Sequence, residues 1–374
     1  MALGMIEIDS ELCKDCKLCI SVCPHHLIKT CDQMNQKGYY PAMFIAQDVA
    51  SVPLPAQKLP LRCIVPKVLM RGNHVVAEAA VRAGCRFYFG YPITPQNEVP
   101  EYMSERLSKV EGGVFIQAES EVASIHMVIG ASMAGGRVMT SSSGPGISLK
   151  QEGISFLSAL ELPAVIVNMS RGGPGLGNIA PAQSDYFQAT RGGGHGDYRN
   201  IVLAPNSCQE LANLTYEAFN LADKYRTPVI ILGDGMLGQM MEPVELPPEV
   251  QIKKLTHKDW TLTGAKGRPS RFIRSLILDP FEEEEHNWKL MRKYERIIKE
   301  EIRWETYFAE DAKLMVVAFG IAARIAKGAI KRMREEGQKV GLFRPISLWP
   351  FPYNAIKDLT TKIKHFFVFE MTMG

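Results

Sequence analysis

YFGYPITPQNE (residues 88–98), followed by ESE at residues 119–121, decides both the fold and the site. An apolar strand ends in a turn with two prolines, which holds the hydroxyl of Thr94 clear of the backbone. A second strand, residues 113–117, delivers Glu119 and Glu121 to the start of a helix rich in small residues. Polar groups placed in this way at strand ends predict a site for a polar ligand rather than packing alone.

The composition is that of a globular protein with more than one domain. The 374 residues are enough for two or three domains, and 46% apolar residues can bury a sizeable core. The net charge of +3, without a basic stripe interleaved with aromatic residues, gives no nucleic-acid footprint. The amino terminus does not read as a signal peptide, and no run approaches the roughly 18 apolar residues of a membrane span. We therefore expect a soluble, cytoplasmic protein that binds neither nucleic acid nor membrane.

The chain divides into four regions. Residues 1–65 hold a cysteine cluster and end in a proline-rich link, and residues 66–249 alternate short apolar strands with helices of small residues. The strands predicted in this second region are 86–91, 113–117, 138–142, 164–169, 201–203 and 229–232. Such alternation predicts an α/β fold, a doubly wound parallel sheet covered on both faces.

The other two regions follow the sheet domain. Residues 250–311 form a charged connector, in which 281–310 is predicted to be a surface or partner-packing helix. Residues 312–374 return to strands at 314–319, 340–343 and 366–370, with a helix at 321–336. The sequence stops directly after a strand that a helix would normally cover, so we expect this last domain to be incomplete.

Four cysteines are crowded in the first region: Cys13, Cys16, Cys19 and Cys23, the last followed by proline. This is the spacing of the bacterial ferredoxin run, whose fourth cysteine normally ligates a second cluster; a second such run is absent from the sequence. Four thiolates in one tight run suit a 4Fe–4S cubane better than zinc, which usually takes two separated pairs. A zinc site or a decayed module remains open.

Two loops that follow strands have the composition of ligand-binding segments. TSSSGPG (140–146) offers hydroxyls and glycines that let the backbone approach a ligand closely, although such loops are common. RGGPGLGN (171–178) puts the guanidinium of Arg171 at the carboxyl edge of the sheet, where open α/β sheets bind ligands. Arginine can grip a carboxylate through two parallel hydrogen bonds, or Arg171 could instead cap a loop.

Taken in order, GYPITP, QAESE, SSGPG and RGGPG resemble the signature of the 2-oxoacid:ferredoxin oxidoreductases, over residues 66–374. The chain resembles the subunit with the pyrimidine-binding domain for thiamine diphosphate, with a transketolase C-terminal-like domain and a fused ferredoxin-like module. RGGPGLGNIAPAQSDYFQATRGGGHGDYR (171–199) is most similar to the branched-chain, or 3-methyl-2-oxobutanoate, enzymes. The resemblance implies oxidative decarboxylation of a 2-oxo acid with coenzyme A, yielding an acyl-CoA, carbon dioxide and reduced ferredoxin.

The resemblance also implies roles for individual residues. It makes Glu121 the carboxylate that contacts the aminopyrimidine ring of thiamine diphosphate, with Glu119 as the alternative. It places Thr94 and Arg171 against the keto acid, and leaves His195 either lining the site or without a role. The surface that it implies for the cofactor comprises Tyr91, Pro92, Glu121, Ser143, Gly144 and Pro145.

The loop after Arg171 departs from relatives that act on 2-oxoglutarate, which carry hydroxyl residues there. Leu176, Ile179 and Ala180 cannot hydrogen-bond a distal carboxylate, and an unpaired buried charge is costly. We therefore expect an apolar, branched 2-oxo acid. Because a methylene gives only about 1–3 kcal/mol of discrimination, neighbouring branched acids should also react. Pyruvate, 2-oxoglutarate or an aryl pyruvate, or a non-catalytic electron-transfer or assembly role, remain as alternatives.

Gly233-Asp234-Gly235 resembles the start of a thiamine diphosphate motif, but the next asparagine is Asn287, too distant to complete it. We therefore expect Mg²⁺ and the diphosphate to bind a separate β-type subunit, so that this chain supplies half of a shared active site. A γ-type subunit and ferredoxin complete the expected hetero-oligomer. Family members continue well past Gly374, which implies that the terminal domain is truncated in this sequence.

Overall fold

The computed structural model describes residues 28–34, 42–44, 67–252, 255 and 258–374. The chain forms two compact units, Met1–Ile64 and Val65–Gly374. In the first unit, strands β1 (Ile28–Thr30) and β2 (Ala42–Phe44) pair antiparallel. The four clustered cysteines lie outside the described residues.

The centre of the second unit is a seven-stranded sheet. Its strands are β4 (Phe87–Gly90), β5 (Val114–Gln117), β6 (Val138–Ser142), β7 (Ala164–Ser170), β8 (Ile201–Leu203), β9 (Pro228–Asp234) and β14 (Ser347–Trp349). They lie in the order β14-β8-β9-β7-β6-β4-β5, and only β14 runs antiparallel to its neighbour. The predicted bounds of β6 and β8 are confirmed, and the other four strands predicted here differ by one or two residues.

Helices cover both faces of this sheet. One face carries α1 (Gly72–Arg82), α2 (Glu98–Ser108) and α6 (Cys208–Tyr225), and the other carries α3 (Glu121–Met133) and α4 (Pro145–Ala159). Successive strand residues point to opposite faces, so Val165 and Val167 pack in the first core while Ala164 and Ile166 pack in the second. Strands buried on both faces explain why these segments read as continuous apolar runs.

The position of β4 creates the binding crevice. From β4 the chain passes through α2 to β5 on one side, and then through α3 to β6 on the other side of β4. The two connecting helices lie on opposite faces, so their loops diverge at the carboxyl ends of the strands. A doubly wound sheet binds its ligand at such a reversal of strand order. The predicted fold class is confirmed.

The segment that follows differs from the prediction. The connector helix, α8, spans Pro280–Glu300 rather than continuing to residue 310, and Trp304–Tyr307 form strand β11. Those four residues alternate between exposed and half-buried and pair antiparallel with a later strand, which a helix could not do. The predicted end of this helix was therefore wrong. Two further strands that the sequence did not predict, β3 (Val68–Arg71) and β10 (Met241–Val244), pair antiparallel.

A second, four-stranded sheet forms the last part of the unit. It contains β11 with β12 (Leu314–Val317), β13 (Val340–Pro345) and β15 (His365–Val368), in the order β11-β13-β12-β15, with helices α9 (Gly320–Glu335) and α10 (Tyr353–Thr360). Arg344, fully buried in β13, donates hydrogen bonds to Glu305 of β11 and to Glu210 of α6. This arginine thereby ties the second sheet to the first. Among the helices that the structure describes, none is both long and apolar enough to span a membrane.

Candidate functional site

Five segments that follow strands meet at the carboxyl edge of the seven-stranded sheet. They are the turn after β4 with Thr94, the start of α3 with Glu121, the loop after β6 with Ser143, the loop after β7 with Arg171, and the short helix α7 (Gly235–Gln239) after β9. Direct contacts connect them, since Arg171 bonds to Thr94 and Gly235 packs against Pro95. The prediction that these motifs share one edge therefore agrees with the geometry.

The Glu121 carboxylate is the most unusual group at this edge. Glu121 begins α3, where Ser120 caps the helix by accepting a hydrogen bond from the Ala123 amide at 3.2 Å. Its side chain is only 6% exposed, yet its oxygens accept no hydrogen bond from the described residues. A buried carboxylate without a donor is costly, so a ligand that supplies one is expected to bind there. Glu119, the alternative, is exposed.

Gly146 allows the carboxylate to lie against the first turn of α4. A Cβ at this position would clash with Ser142 Oγ and would stand 2.5 Å from Glu121 Oε1. The amino-terminal end of a helix is electropositive and favours an anion at that place. The SSGPG segment therefore gives Glu121 its position, in addition to any contact with a ligand.

Two buried hydroxyls without a partner lie at the end of β6 and in the loop that follows it. Ser142 Oγ and Ser143 Oγ are both buried, and neither has a hydrogen-bond partner among the described residues. Their neighbour Ser141 is satisfied, because it bonds to Gln96 and lies 2.6 Å from the hydroxyl of Tyr88. Gln96 thus ties the turn after β4 to β6. The unpaired hydroxyls identify the sheet edge as a place where polar ligand atoms are expected.

Arg171 and Thr94 are in direct contact. Arg171 is buried and donates from Nη1 to the carbonyl of Thr94 and from Nη2 to the carbonyl of Leu176, both at 2.9 Å. In the part of the chain that the structure describes, its Nε has no partner. The Thr94 side chain is exposed at the rim, as are Tyr91 and Pro92. Arg171 therefore holds the turn after β4 and its own loop in place, while one edge of the guanidinium keeps donors for a carboxylate.

A cavity of about 650 Å³ opens beside this arginine. Polar side chains of Arg171, Asp185, Glu370, Ser148, Ser184 and Thr372 line it, with an apolar wall of Pro145, Pro174, Ala182, Tyr186, Phe187, Met371 and Met373. Leu176 and Ile179, which the sequence suggested for an apolar pocket, are instead 78% and 65% exposed and do not line it. The cavity therefore has an apolar wall, but residues other than Leu176 and Ile179 form it.

Two charged residues near the site had no signature in the sequence. Asp185 accepts a 2.9 Å hydrogen bond from Asn168, and burial raises the pKa of its carboxyl above the usual value. Lys150, on α4, is fully buried and donates to Ser124 Oγ and, at 3.0 Å, to Thr140 Oγ1. Burial lowers the pKa of this amine to about 7, against an opposing effect of the Glu121 charge. Such perturbed groups in a crevice point to function.

The remaining candidates lie apart from this arrangement. Asp234 caps α7, because its Oδ1 accepts from the amides of Met236 and Leu237 at 2.8 and 3.1 Å, and burial raises its pKa to about 6. This agrees with the interpretation of Gly233-Asp234-Gly235 as a turn at a strand end. His195 is exposed and does not line the cavity.

Comparison with known families adds independent information. The thiamine diphosphate-binding domain of the pyruvate flavodoxin/ferredoxin oxidoreductases matches residues 78–304, and core domain II of pyruvate:ferredoxin oxidoreductase matches residues 312–374. A 4Fe–4S binding domain matches residues 5–28, which include all four clustered cysteines. Thiamine diphosphate and the iron–sulfur cluster are thus both supported as cofactors, as the sequence predicted.

Individual relatives agree with these families. Ketoisovalerate oxidoreductase subunit VorB of Methanothermobacter marburgensis is 52% identical over 306 residues, covering 82% of this chain and 86% of the relative. 2-Oxoglutarate synthase subunit KorA of Archaeoglobus fulgidus is 41% identical over 312 residues, covering 82% and 88%.

One solved structure is similar over most of the chain. It is the 2-oxoglutarate:ferredoxin oxidoreductase of Magnetococcus marinus with 2-oxoglutarate, coenzyme A and succinyl-CoA bound. The TM-score is 0.73 at 31% identity, and the match covers 81% of this chain and 57% of the other. Family matches, relatives and shared architecture agree with one another, and the chain belongs to the 2-oxoacid:ferredoxin oxidoreductases.

Proposed function

We propose that this chain is the pyrimidine-binding subunit of a hetero-oligomeric enzyme that oxidatively decarboxylates 3-methyl-2-oxobutanoate. The reaction consumes the 2-oxo acid and coenzyme A, and yields an acyl-CoA, carbon dioxide and two electrons that pass to ferredoxin. The observation that carries the proposal is the Glu121 carboxylate, buried at the sheet edge without a donor of its own.

The residues at the edge fit the pyrimidine half of thiamine diphosphate. Glu121 would accept a hydrogen bond from the protonated ring nitrogen, and the unpaired hydroxyls of Ser142 and Ser143 would meet polar atoms of the ligand. Gly144 and Pro145 follow these serines in the chain, and the glycine would let a ligand approach the backbone closely. When bound, this cofactor supplies the carbanion and the electron sink that decarboxylation requires. The chain binds and orients it, and Arg171 and Thr94 hold the keto acid.

A partner subunit would hold the diphosphate. Asp234 uses its carboxylate to cap α7. No cluster of three or more metal-ligating side chains exists among the residues that the structure describes. A β-type subunit is therefore the proposed site of Mg²⁺ and diphosphate, and a γ-type subunit completes the assembly. This division of labour predicts that the chain alone has no activity, so full turnover without a partner would contradict it.

The cavity beside Arg171 favours an apolar side chain on the substrate. Apart from Arg171, the side chains that line it carry no positive charge, and Asp185 and Glu370 add carboxyl groups of their own. A distal carboxylate of 2-oxoglutarate would meet apolar atoms, hydroxyls or these acids, none of which neutralises its charge. The similarity to VorB of M. marburgensis, named a ketoisovalerate oxidoreductase subunit, supports the same choice.

Electrons would leave through the amino-terminal region. We propose that Cys13, Cys16, Cys19 and Cys23 hold a 4Fe–4S cluster, since four thiolates in the ferredoxin spacing match that donor set. Iron and acid-labile sulfide, measured per chain after anaerobic purification, test the assignment. About four of each are expected for one cubane. Zinc in place of iron, or no metal at all, would contradict it.

The catalytic proposal is tested in the reconstituted complex with Glu121→Ala. We expect turnover to fall by at least about 100-fold, because the group that contacts the aminopyrimidine ring is lost. Glu119→Ala is the matched control, since this neighbouring carboxylate is exposed, and its turnover should stay near that of the wild type. Unchanged turnover in Glu121→Ala would favour the alternative of a non-catalytic electron-transfer or assembly subunit.

The substrate is tested by competition. 3-Methyl-2-oxobutanoate, pyruvate, 2-oxoglutarate and an aryl pyruvate are offered together to the reconstituted complex, with dye reduction and product analysis as readouts. The branched acid should give the highest kcat/KM, with its branched homologues within about 200-fold, since methylene-level discrimination is weak. Preference for 2-oxoglutarate would overturn the substrate assignment and leave the reaction type intact.

A further inference from the structure

Lys150 is a buried cation without a counter-ion in contact with it. The side chain is fully buried at the second turn of α4, and no carboxylate among the described residues lies within 4.0 Å of its nitrogen. Lysine is almost never fully buried unless it is paired, since burial penalises the charge. Packing alone does not account for such a residue on a helix whose other buried side chains are small, apolar or amide.

The contacts of Lys150 lead to Glu121. The amine donates to Ser124 Oγ, and Ser124 Oγ in turn donates to the backbone carbonyl of Glu121 at 2.9 Å. Its second acceptor is Thr140 Oγ1 of β6, at 3.0 Å. Lys150 thus lies behind the start of α3, and Ser124 connects its amine to the backbone carbonyl of Glu121.

The electrostatic environment couples the same two groups. The charge of Glu121, from α3, favours the protonated form of the Lys150 amine. The groups that accept hydrogen bonds from the amine, Thr140 of β6 and Ser124 of α3, are neutral hydroxyls. Both charged side chains are buried, so solvent screens their interaction only weakly.

We propose that Lys150 is a positioning residue that keeps Glu121 ionised and in place to contact the aminopyrimidine ring. The proposal rests on the function proposed above for Glu121 and adds the group that sets its charge. A cation behind a buried carboxylate favours the charged form and opposes its protonation.

The coupling is tested first in the cofactor-free full chain. Glu121 is titrated through its carboxyl infrared band, identified as the difference between the wild type and Glu121→Gln. Lys150→Met keeps the length of the side chain and removes its charge, so the pH midpoint of Glu121 protonation should rise by about one unit or more. Lys150→Arg keeps a charge and should leave the midpoint near that of the wild type.

The matched control is Lys293→Met. Lys293 is also a largely buried lysine, but it lies on α8, where it pairs with Glu161 at 3.2 Å. Its loss should leave the Glu121 midpoint unchanged. A shift of the same size in this control would show a general response to losing a buried lysine, and would contradict the proposal.

The reciprocal measurement decides the matter without any change at Lys150. Coupling between two titrating sites is mutual, so Glu121→Gln must lower the pH midpoint of Lys150. ¹³Cε NMR of the lysine-labelled chain follows that midpoint, and a fall of about one unit or more is expected. An unchanged Lys150 midpoint would overturn the inference.

A final readout separates this inference from the proposed function. Calorimetry on the reconstituted complex measures the affinity for thiamine diphosphate as a function of pH. The pH below which this affinity falls should be higher in Lys150→Met than in the wild type, by about the same shift as the infrared midpoint. If the wild-type complex fails to bind thiamine diphosphate, the proposed function fails. If Glu121→Ala weakens binding while Lys150→Met leaves that pH unchanged, only the role of Lys150 fails.

Discussion

Arg171 donates a 2.9 Å hydrogen bond from Nη1 to the backbone carbonyl of Thr94, across 77 positions of sequence. A second bond from Nη2 reaches Leu176 in its own loop. One buried guanidinium therefore fixes two of the segments that border the crevice, and its Nε has no partner among the described residues. The geometry of the turn after β4 depends on a side chain from the loop after β7.

This relationship predicts the result of Arg171→Lys. A lysine has no rigid fork of donors and cannot bond both carbonyls while gripping a carboxylate. We expect KM for the 2-oxo acid to rise roughly 10- to 100-fold, since a charge-assisted hydrogen bond contributes about 1.5–3 kcal/mol. Steady-state kinetics of the reconstituted complex check this. Arg191→Lys, an exposed arginine at the end of α5 (Tyr186–Arg191), should behave as the wild type.

Gly146 should not tolerate a methyl group. Gly146→Ala would push a Cβ into Ser142 Oγ and Glu121 Oε1, so either the carboxylate moves or the start of α4 shifts. We expect thiamine diphosphate affinity to fall about tenfold or more, together with a loss of about 1–3 kcal/mol in the free energy of unfolding. Calorimetry and urea unfolding measure the two effects.

Gly328→Ala serves as the control for that substitution. Gly328 lies within α9, and a Cβ there meets nothing within 4 Å. Alanine should raise the free energy of unfolding by about 0.5–1 kcal/mol, because glycine is the poorer helix former. Equal behaviour of the two variants would contradict the explanation given for Gly146.

Asp185 should contribute to substrate choice. Asp185→Asn removes a carboxyl group from the cavity wall and still offers an oxygen to Asn168. We expect the ratio of kcat/KM for 2-oxoglutarate to that for 3-methyl-2-oxobutanoate to rise about tenfold, because one like-charge repulsion is lost. Asp197→Asn, in an exposed loop, should leave the ratio as it is. A ratio that does not move in Asp185→Asn would remove Asp185 from the account of specificity.

The stability of the chain should depend on pH through Lys150. Its amine has a pKa of about 7 in the folded chain against 10.5 ordinarily, so between these values the unfolded chain binds more protons. Stability therefore rises with pH across that window, and the full cost of burying the charge is present below it. Lys150→Met should raise the free energy of unfolding by about 1–4 kcal/mol near pH 6 and by little near pH 10. Urea unfolding at both pH values tests the sign.

Much of the fold followed from local pattern. Val138–Ser142 and Ile201–Leu203 were predicted to the residue, since short apolar runs bounded by glycine, proline or serine are typical of parallel strands. Strand β11 was missed because Trp304–Tyr307 follow a long helix and mix apolar with polar residues. Its pairing partner, β13, lies more than thirty positions later in the chain.

The residues of the site also divide into those that the sequence identified and those that only the structure identified. Glu121 and Thr94 lie inside recognisable motifs, so sequence alone nominated them, whereas Asp185 becomes relevant only through a cavity formed by several loops. Lys150 had a weaker signal that could have been used. It falls at helical spacing with Ile147, Gln151 and Ile154, all of them buried, and a lysine on that face is unexpected.

Strand β14 belongs by sequence to the terminal region but hydrogen-bonds to β8 at the border of the first sheet. Its presence shields the open side of β8, which would otherwise display unpaired amide and carbonyl groups as a template for aggregation. With Arg344 bonded across the same junction, the two sheets are expected to melt in one cooperative transition. A protein cut before β14 would then lose solubility as well as a domain.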